Sequence, residues 1–308
     1  MAQFEINILG CGSATPSLRH LPACQVIDFR DNLMMIDCGE GSQLQMRRMK
    51  LKFSRLNHIF ISHLHGDHCL GLPGLLSTLS LHQRTGTVTV HMFQEGIDLF
   101  KPMIDFLCRD RSYDLVFEPV DHNGGIVFEN DSIIVEAFPL YHRVPTVGYI
   151  FREKPKSRHL KGDIIKFYNV PVSLIPDLKD GKDIVLPDGR LVEARHVTTE
   201  PSPALSYAYC SDTMFDKRVA NAIKGVDVVY HEATYLDNEA VKARERFHAT
   251  ASQAAEIARE AGAKMLILGH YSKMYFDEQG HLDEAQPIFE NTIAANEEMK
   301  IDITKIYD

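Results

Sequence analysis

Three histidines and one aspartate lie close together in the segment Ser62-His63-Leu64-His65-Gly66-Asp67-His68. The apolar run Ile59-Phe60-Ile61 precedes it, which predicts that a buried strand ends where the polar side chains begin. Because an extended chain directs alternate side chains to the same face, the first two histidines can reach one ion. A turn at Gly66 then redirects the aspartate and the last histidine. Four metal-binding side chains directly after one strand predict a metal site and not an ordinary polar turn.

Four further predicted strands also end at a side chain that can bind a metal ion. The chain alternates strands with helices, and in such proteins the carboxyl ends of the strands converge on one cleft. We therefore expect these side chains to meet the histidine cluster. The four are the strand near 133–138 before His142, the strand near 205–209 before Asp212, the strand near 226–230 before His231 and Glu232, and the strand near 265–268 before His270.

The resulting set of donors is large enough for two metal ions. One catalytic zinc ion uses about four donors, one of them a water molecule. Two neighbouring ions can lower the pKa of a shared water and stabilise the charge that develops on a phosphoryl centre. All of the donors are nitrogen or oxygen atoms, so no cysteine is needed. The predicted ligands are His63, His65 and His142 for one ion, Asp67, His68 and His270 for the other, and Asp212 as the bridge between them.

Three polar residues outside this set are candidates for supporting roles. Asp37 follows a predicted strand and is either a further ligand or a carboxylate that holds a metal-bound histidine in one tautomer. His248 lies in the loop before a predicted helix, and we expect it to donate a proton to the scissile group or to stabilise its charge, with Glu232 orienting it. The segment from His231 is not the helical zinc motif H-E-x-x-H, because Tyr235 occupies the place of the second histidine.

Composition limits the class of protein that carries this site. The chain has 308 residues, of which 44% are hydrophobic, enough to bury a large core. Its six cysteines form no C-x-x-C pair and its first residues lack a basic and apolar leader, which favours a reducing, cytoplasmic setting. No apolar stretch is long enough to predict a membrane span. The net charge of −9 argues against a protein with a largely basic surface.

The cluster H-x-H-x-D-H, together with the downstream His142, Asp212 and His270, resembles the metallo-β-lactamase superfamily. Several further motifs make the chain similar to one branch of it, the ribonuclease Z family, over nearly the whole length. These motifs are the opening Gly10-Cys11-Gly12-Ser13-Ala14-Thr15-Pro16, Asp37-Cys38-Gly39-Glu40-Gly41, Leu72-Pro73-Gly74-Leu75, His231-Glu232-Ala233-Thr234 and His248-Ala249-Thr250.

The resemblance implies a fold and an activity. The fold would be α/β, an αββα sandwich spanning 1–308 as one metallo-hydrolase domain with an inserted protruding arm. The enzyme would be a homodimeric endoribonuclease with two Zn²⁺ ions per subunit, or Mn²⁺ or Fe²⁺ in their place. It would cleave precursor tRNA after the discriminator nucleotide, leaving a 3′-hydroxyl on the tRNA and a 5′-phosphorylated trailer. The family's metal ligands correspond to the seven donors, its proton acceptor to Asp67, and the residues that support the site to Glu232 and His248.

The segment 151–200 resembles the tRNA-binding arm of the family. It contains ten basic and eight acidic residues, a net charge of +2, whereas the remaining chain contains 23 basic and 34 acidic residues, a net charge of −11. Basic charge is greatest over 152–159. We expect this arm to contact phosphates of tRNA. Two departures from the family are an alanine at 249, where serine is common, and the stretch 169–176, which replaces a glycine-proline-rich loop.

Other expectations concern function class and the helices. A small-molecule phosphodiesterase or arylsulfatase of the same superfamily would use the same metal ligands without needing a basic arm, and this alternative stays open. The apolar segment Leu70 to Leu81 predicts a helix that packs deeply or forms a subunit contact. The stretch from about Glu284 to Met299 predicts a helix without chemistry of its own.

Overall fold

Two seven-stranded β-sheets dominate the part of the chain that the computed structural model describes, residues 4–307. The strand order is β18-β1-β2-β3-β4-β5-β6 in the first sheet and β17-β16-β15-β14-β9-β8-β7 in the second. In chain order the strands are β1 (Phe4–Gly10), β2 (Cys24–Phe29), β3 (Asn32–Ile36), β4 (Leu56–Phe60), β5 (Thr87–Met92), β6 (Asp114–Pro119), β7 (Gly125–Glu129), β8 (Ile133–Leu140), β9 (Thr146–Glu153), β10 (His159–Leu160), β11 (Ile184–Val185), β12 (Leu191–Val192), β13 (Thr198–Thr199), β14 (Ser206–Cys210), β15 (Val228–Glu232), β16 (Met265–Gly269), β17 (Thr292–Ala294) and β18 (Lys300–Asp302).

Helices cover the outer face of each sheet. The first sheet packs against α1, α3 and α4 in one large apolar core, and the second packs against α10, which contacts α8 and α11. No helix within residues 4–307 combines the length and the apolar character that crossing a bilayer requires. In chain order the helices are α1 (Ser42–Arg48), α2 (Gly66–Cys69), α3 (Leu72–Leu81), α4 (Gln94–Leu107), α5 (Gly162–Phe167), α6 (Ile175–Lys179), α7 (Ala194–Val197), α8 (Lys217–Ala222), α9 (Ala240–Arg246), α10 (Ala251–Ala261) and α11 (Gln279–Ala285).

The inner faces of the two sheets pack against each other. The Tyr149 hydroxyl donates a hydrogen bond to the carbonyl of Ile61 at 2.7 Å, and Phe60 meets Phe151 edge to face with ring centroids 5.5 Å apart. Helices outside and sheets inside make an αββα sandwich, as the sequence predicts. The buried aromatic side chains between the sheets fix the distance between their edges.

Parallel strands bring the predicted ligands to one edge of this sandwich. Strands β3 and β4 are parallel, and so are β14, β15 and β16. Cys210 pairs with His231 and His231 with Leu268, so three strands of the second sheet end at nearly the same level. Because their carboxyl ends are aligned, the polar residues that follow them lie side by side.

A close approach of two backbones holds the histidine segment against the loop after β3. The amide of Gly71 donates to the carbonyl of Cys38 at 2.8 Å, and the amide of Cys38 donates to the carbonyl of His68 at 2.7 Å. A Cβ atom at Gly71 would lie only 2.0 Å from the carbonyl oxygen of Gly39. The position therefore requires glycine, and the approach fixes α2 beside Asp37.

The described residues divide into two compact units. The larger consists of the chain up to Glu129, Ile134–Phe151 and the chain from Leu205 onward. The smaller consists of Asn130–Ile133 and Arg152–Ala204 and includes the two-stranded pairs β10-β13 and β11-β12. It has an apolar core of its own, made of Leu178, Ile184, Leu186, Val192, Ala194 and Val197.

The predicted helix over 284–299 is wrong. Helix α11 ends at Ala285, and the chain then forms β17, parallel to β16, and β18, antiparallel to β1 with Ile6 opposite Ile301. The stretch has helix-favouring alanine and glutamate residues, but two open sheet edges accept it as strands. Pairing with those edges outweighs local helix propensity.

A histidine pair in the first sheet, His91 buried and His58 partly buried, predicts acid sensitivity of the fold. His58 Nδ1 lies 3.1 Å from His91 Nε2, and burial lowers the pKa of His58 to about 4 and that of His91 to about 3. At these two positions the folded chain binds fewer protons than the unfolded chain below pH ~6.5, so their contribution to stability falls as the pH drops. Each histidine contributes a loss of up to about 1.4 kcal/mol per pH unit.

We expect the double substitution His58→Leu and His91→Leu to reduce this pH dependence. The free energy of unfolding, measured in urea between pH 7 and pH 5, should fall less in the variant than in the native chain. The substitution His82→Leu, at an exposed position, is the control and should leave the dependence unchanged. An equal dependence in the double variant and the native chain would contradict the assignment.

Candidate metal centre

The structure brings all seven predicted donors together at one edge of the sandwich. They form two groups, and within each group the donor atoms lie within 4.8 Å of one another. Asp212 is part of the first group and also contacts the second. The first group is His63, His65, His142 and Asp212, and the second is Asp67, His68 and His270.

In the first group, three imidazoles surround one carboxylate oxygen. His65 Nδ1 lies 3.0 Å from His63 Nε2 and 3.3 Å from His142 Nε2. Asp212 Oδ2 lies 3.6 Å from His63 Nε2 and 3.7 Å from His142 Nε2. The four atoms therefore enclose a space into which all of their lone pairs can point.

The second group uses the other oxygen of the same carboxylate. His68 Nε2 lies 3.2 Å from His270 Nε2, and Asp67 Oδ2 lies 3.5 Å from each of them. Asp212 Oδ1 lies 3.4 Å from His68 Nε2 and 3.0 Å from His270 Nε2. Asp212 thus faces one group with each of its oxygens, which is the geometry of a bridge.

Most of these histidines have a hydrogen-bond partner on the ring nitrogen that faces away from the centre. Such partners leave the inner nitrogen free to bind a cation, as around metal-bound histidines in general. His270 Nδ1 lies 3.0 Å from Thr234 Oγ1, and His63 Nδ1 lies 3.0 Å from Ser62 Oγ. His142 Nδ1 lies 2.9 Å from the carbonyl oxygen of Phe247, to which it can only donate.

Asp37 supports His68 and does not join the ligands. Its Oδ2 lies 2.7 Å from His68 Nδ1, the nitrogen opposite the one that faces the donor groups. The same carboxylate accepts hydrogen bonds from the Ser62 amide at 2.7 Å and from the Tyr209 hydroxyl at 2.8 Å. Of the two interpretations that the sequence leaves open, the structure therefore favours the tautomer-holding carboxylate.

Two of the site residues adopt left-handed backbone conformations. Asp37 has φ +55° and directly follows β3, and His270 has φ +61° and directly follows β16. Aspartate and histidine tolerate this region better than most residues, but it still costs about 1–3 kcal/mol. The turn away from the strand direction aims both side chains along the edge of the sandwich.

The donor set fits divalent metal ions. Asp212 Oδ1 is buried without a hydrogen-bond partner among the described residues, although two imidazole nitrogens lie beside it. Burial and the neighbouring His68 hold the pKa of His63 well below its ordinary value, so His63 is neutral. His63 therefore brings a lone pair and no positive charge to Asp212 Oδ2, and a metal ion between the two atoms would supply that charge.

His248 and Glu232 form a second layer beside this centre. Glu232 is fully buried, and its Oε1 lies 2.8 Å from His248 Nδ1. It also accepts hydrogen bonds from the amides of Thr213 and Ala249 and from the Thr234 hydroxyl. Burial alone would lower the pKa of His248, but Glu232 raises it to about 9. Glu232 and His248 therefore form an ion pair beside the donor groups.

The hydroxyl of Thr250 does not replace the serine that the family commonly has at 249. Thr250 caps α10 in a capping box with Gln253, and its hydroxyl donates to Asp237 Oδ1 at 2.6 Å. Ala249 is completely buried. The hydroxyl at 250 is therefore occupied by the helix terminus and by Asp237, and is not free to contact a phosphate.

An open cleft of about 420 Å³ lies over the donors and carries basic side chains that the sequence patterns do not indicate. Arg143, Arg246 and Lys273 line it together with His65, Asp67 and His248. Ala14 also lines the cleft, and its amide donates a hydrogen bond to Asp67 Oδ2 at 2.6 Å. Arg143 and Lys273 stand one and three positions after predicted ligands, which is the only signal in the sequence that could have identified them.

Two family models match parts of this chain. The model described as "Beta-lactamase superfamily domain" matches residues 197–271, which include Asp212, Glu232, His248 and His270. The model described as "Anti-Pycsar protein Apyc1" matches residues 4–95, which include the histidine segment.

Curated relatives match the chain from end to end. The protein named Ribonuclease Z of Porphyromonas gingivalis strain W83 is 52% identical over 305 residues, covering 98% of this chain and 100% of the relative. Ribonuclease Z of Phocaeicola vulgatus is 48% identical over 307 residues, covering 99% of each. Among solved structures, the short form of human tRNase Z superposes with a TM-score of 0.70 at 23% identity, covering 97% of this chain and 99% of that one.

The contact of Asp37 with His68 predicts a loss of metal affinity when the carboxylate is removed. In Asp37→Asn the negative charge beside His68 Nδ1 is absent, and we expect metal affinity to fall about 10–100-fold. Competition with a chromogenic chelator measures this affinity. The control is Asp121→Asn, in an exposed turn. Unchanged affinity in folded Asp37→Asn would contradict the supporting role.

Proposed function

We propose that this chain, which belongs to the ribonuclease Z family of endoribonucleases in the metallo-β-lactamase superfamily, cleaves precursor tRNA on the 3′ side of the discriminator nucleotide. The products are a tRNA with a 3′-hydroxyl and a trailer with a 5′-phosphate. The observation that carries this proposal is the pair of donor groups joined by Asp212 at the floor of an open cleft, whose lining includes Arg143, Arg246 and Lys273 as well as Glu40. Such a floor suits a phosphodiester that enters from outside.

The proposed metals are two Zn²⁺ ions per subunit. His63, His65 and His142 would hold one, Asp67, His68 and His270 the other, and Asp212 both. When bound, the ions would lower the pKa of a water molecule and stabilise charge on the phosphoryl group. Nitrogen and oxygen donors also accept Mn²⁺ or Fe²⁺, so zinc is chosen from the donor type and the family.

Asp67 is proposed to act both as a ligand and as the acceptor of the proton from the attacking water. It lines the cleft, and its Oδ2 is held by the amide of Ala14. Burial alone would raise the pKa of Asp67, but the imidazoles of His68 and His270 lower it. The carboxylate is therefore ionised and oriented, and so carries no proton of its own at the oxygen that would accept one.

His248 is proposed to protonate the leaving oxygen of the tRNA or to stabilise its charge. Its Nδ1 is engaged by Glu232, so the other ring nitrogen is the one available to substrate. His248 also lines the cleft. Glu232 stabilises the positive charge of the protonated imidazole. The proton on the other ring nitrogen can then pass to the 3′-oxygen as the bond to phosphorus breaks. Glu232 itself is buried and acts by positioning His248.

The inserted segment 151–200 is proposed as the tRNA-binding arm. Much of its basic charge is already paired internally: Lys156 lies 2.8 Å from Glu153, and Arg190 lies 2.6 Å from Asp188. Lys166 and Lys179 are exposed, and neither forms an ion pair among the described residues. The exposed Phe167 next to Lys166 adds an aromatic face on which a base could stack. These two lysines are the phosphate contacts that we propose.

A homodimer is proposed from the outer surface of the first layer of helices. α3 contacts both α1 and α4, and all three carry apolar side chains exposed to solvent in the single chain. Leu81 is 82% exposed and Phe106 is 67% exposed. An apolar surface of this kind suits a two-fold contact.

Sedimentation of the native chain should give the mass of a dimer. The double variant Leu81→Asp with Phe106→Asp should give the mass of a monomer, because it places charge in the proposed contact. A monomeric native chain would refute the proposal.

The proposed compartment is the cytoplasm. All six cysteines are buried and unpaired. Free thiols are usual in reducing compartments, where precursor tRNA would also be available. Localisation of the tagged full chain in its own cells tests this directly, and a fraction outside the cytoplasm would contradict it.

Cleavage of a precursor tRNA tests the proposed function. The zinc-loaded protein should cut a transcript with a 3′ trailer at one position, and end-group analysis should identify a 3′-hydroxyl and a 5′-phosphate. A small aromatic phosphodiester serves as the second substrate. Hydrolysis of the small phosphodiester without cleavage of the transcript would instead support the alternative, a small-molecule phosphodiesterase.

Replacement of His248 by alanine should separate catalysis from metal binding. A general acid contributes about 10²–10⁴-fold to rate, so we expect kcat on precursor tRNA to fall by that factor. The metal content of His248→Ala should equal that of the native protein, because the seven donors are intact. The control is His122→Ala, an exposed histidine. Native turnover by His248→Ala would refute the proposed role.

Substitutions in the arm should weaken tRNA binding while leaving the chemistry intact. We expect Lys166→Ala with Lys179→Ala to raise KM for precursor tRNA. The salt dependence of binding should become shallower by about 0.7–0.9 for each phosphate that the variant no longer neutralises. Hydrolysis of the small phosphodiester should not change. Lys217→Ala, at an exposed position outside the arm, is the control. Equal losses on both substrates would contradict a separate binding arm.

A further inference from the structure

A second cluster of metal-binding side chains lies outside the cleft, where three distant parts of the chain meet. Cys11 directly follows β1, His20 belongs to the loop before β2, and Glu297 lies between β17 and β18. Their donor atoms lie within 4.8 Å of one another. Cys11 and His20 are buried, and Glu297 is partly buried. None of the three is needed by the proposed reaction.

The distances within the cluster are close to those of a tetrahedral site. Cys11 Sγ lies 3.3 Å from His20 Nδ1 and 3.7 Å from Glu297 Oε1, and His20 Nδ1 lies 2.9 Å from Glu297 Oε2. Ligand atoms around a tetrahedral zinc ion with normal bond lengths are separated by about 3.4–3.6 Å. Side-chain shifts of about half an ångström would therefore bring all three donors onto one ion.

A carboxylate on the far side of the imidazole supplies an independent indication of a metal site. Glu278 Oε1 lies 2.7 Å from His20 Nε2. Nδ1 also faces a carboxylate, Glu297 Oε2 at 2.9 Å. Burial alone would lower the pKa of His20, but the two carboxylates raise it. Both ring nitrogens therefore carry protons, and an ion bound at Nδ1 would take the place of the Nδ1 proton while Glu278 holds the proton on Nε2. Histidines that bind metals are commonly held in one tautomer by such a carboxylate. Arg19 in turn forms an ion pair with Glu278, which fixes the carboxylate in place.

A cavity beside His20 and a possible fourth donor are also present. A cavity of about 200 Å³ is lined by His20 and Glu278 as well as by residues of the loop that starts at Gly12. The carbonyl oxygen of Ala295 lies 3.5 Å from Cys11 Sγ, so either this oxygen or a water molecule can complete four-coordination.

We propose that Cys11, His20 and Glu297 bind one divalent transition-metal ion of the zinc type, separate from the ions of the candidate metal centre. Binding releases two protons to solvent, one from the Cys11 sulfur and one from His20 Nδ1, and replaces them with bonds from the thiolate and from the neutral imidazole nitrogen to the metal. The mixed donor set of sulfur, nitrogen and oxygen selects zinc or a similar ion over magnesium or calcium.

The ion would act structurally, by holding the loop between β1 and β2 against the C-terminal segment. That loop contributes Ser13, Ala14 and Thr15 to the cleft wall, and the Ala14 amide binds Asp67. A metal ion bound to residues 11, 20 and 297 would restrict the movement of this loop, and so of the part of the cleft wall that it forms. The cleft and the second cluster would then be linked through one short loop.

Cobalt substitution distinguishes this site from the candidate metal centre, because the seven donors there include no sulfur. The native protein loaded with Co²⁺ should absorb in the near ultraviolet through thiolate-to-cobalt charge transfer. We expect Cys11→Ala to lose this band and to contain one equivalent of zinc fewer by elemental analysis. Cys108→Ala, which removes another buried cysteine, and Asp212→Ala, which disrupts the other centre, should both retain the band.

The outcomes separate the proposal from its main competitor, a hydrogen-bonded cluster without metal. If the native protein has no charge-transfer band, or if Cys11→Ala retains both the band and its full zinc content, the proposal is overturned. Should Cys11→Ala fail to fold, His20→Asn provides a second variant and should also lose the band. Because the readouts are an absorption band and a metal count, they do not depend on whether the chain cleaves tRNA.

Discussion

The shared carboxylate of Asp212 is the constraint on which the site depends. Its two oxygens face different groups of donors, and it is buried between four imidazoles that surround it at 3.0 to 3.7 Å. Bringing so many lone pairs and two carboxylates together out of water is unfavourable unless positive charge is placed between them. The rest of the sandwich can be understood as the scaffold that keeps this arrangement in position.

Three features of the fold provide that scaffold. Aligned parallel strands end at one level, so the residues that follow them are neighbours although they are far apart in the chain. Outer partners such as Asp37 and Thr234 fix which nitrogen of each imidazole faces inward. The left-handed backbone at Asp37 and His270 turns the side chains along the sheet edge. The strain stored in these turns is offset by the packing of the strands that precede them.

The sequence predicts the parts of this arrangement that follow from local pattern. An apolar run followed by a ligand-type residue identifies each strand end, which is why the seven residues that meet at the edge of the sandwich, and Glu232 beside them, can be named from the sequence. His248 follows no strand and is indicated only by its place in the loop before a helix. The pattern does not encode which open sheet edge accepts a late strand. For that reason it predicts a helix for the C-terminal stretch, whereas the chain forms β17 and β18 there. Likewise, no spacing rule brings Glu297 to Cys11, or Arg246 to the cleft rim, because tertiary packing alone determines those contacts.

Anomalous diffraction from crystals of the zinc-loaded protein, collected at the zinc absorption edge, would reveal directly how many ions the Asp212 carboxylate joins. We expect two strong peaks on opposite sides of this carboxylate. One should lie among His63, His65 and His142, and the other among Asp67, His68 and His270. A single peak at this carboxylate, or no peak near it in fully loaded protein, would contradict a centre in which one aspartate joins two metal ions.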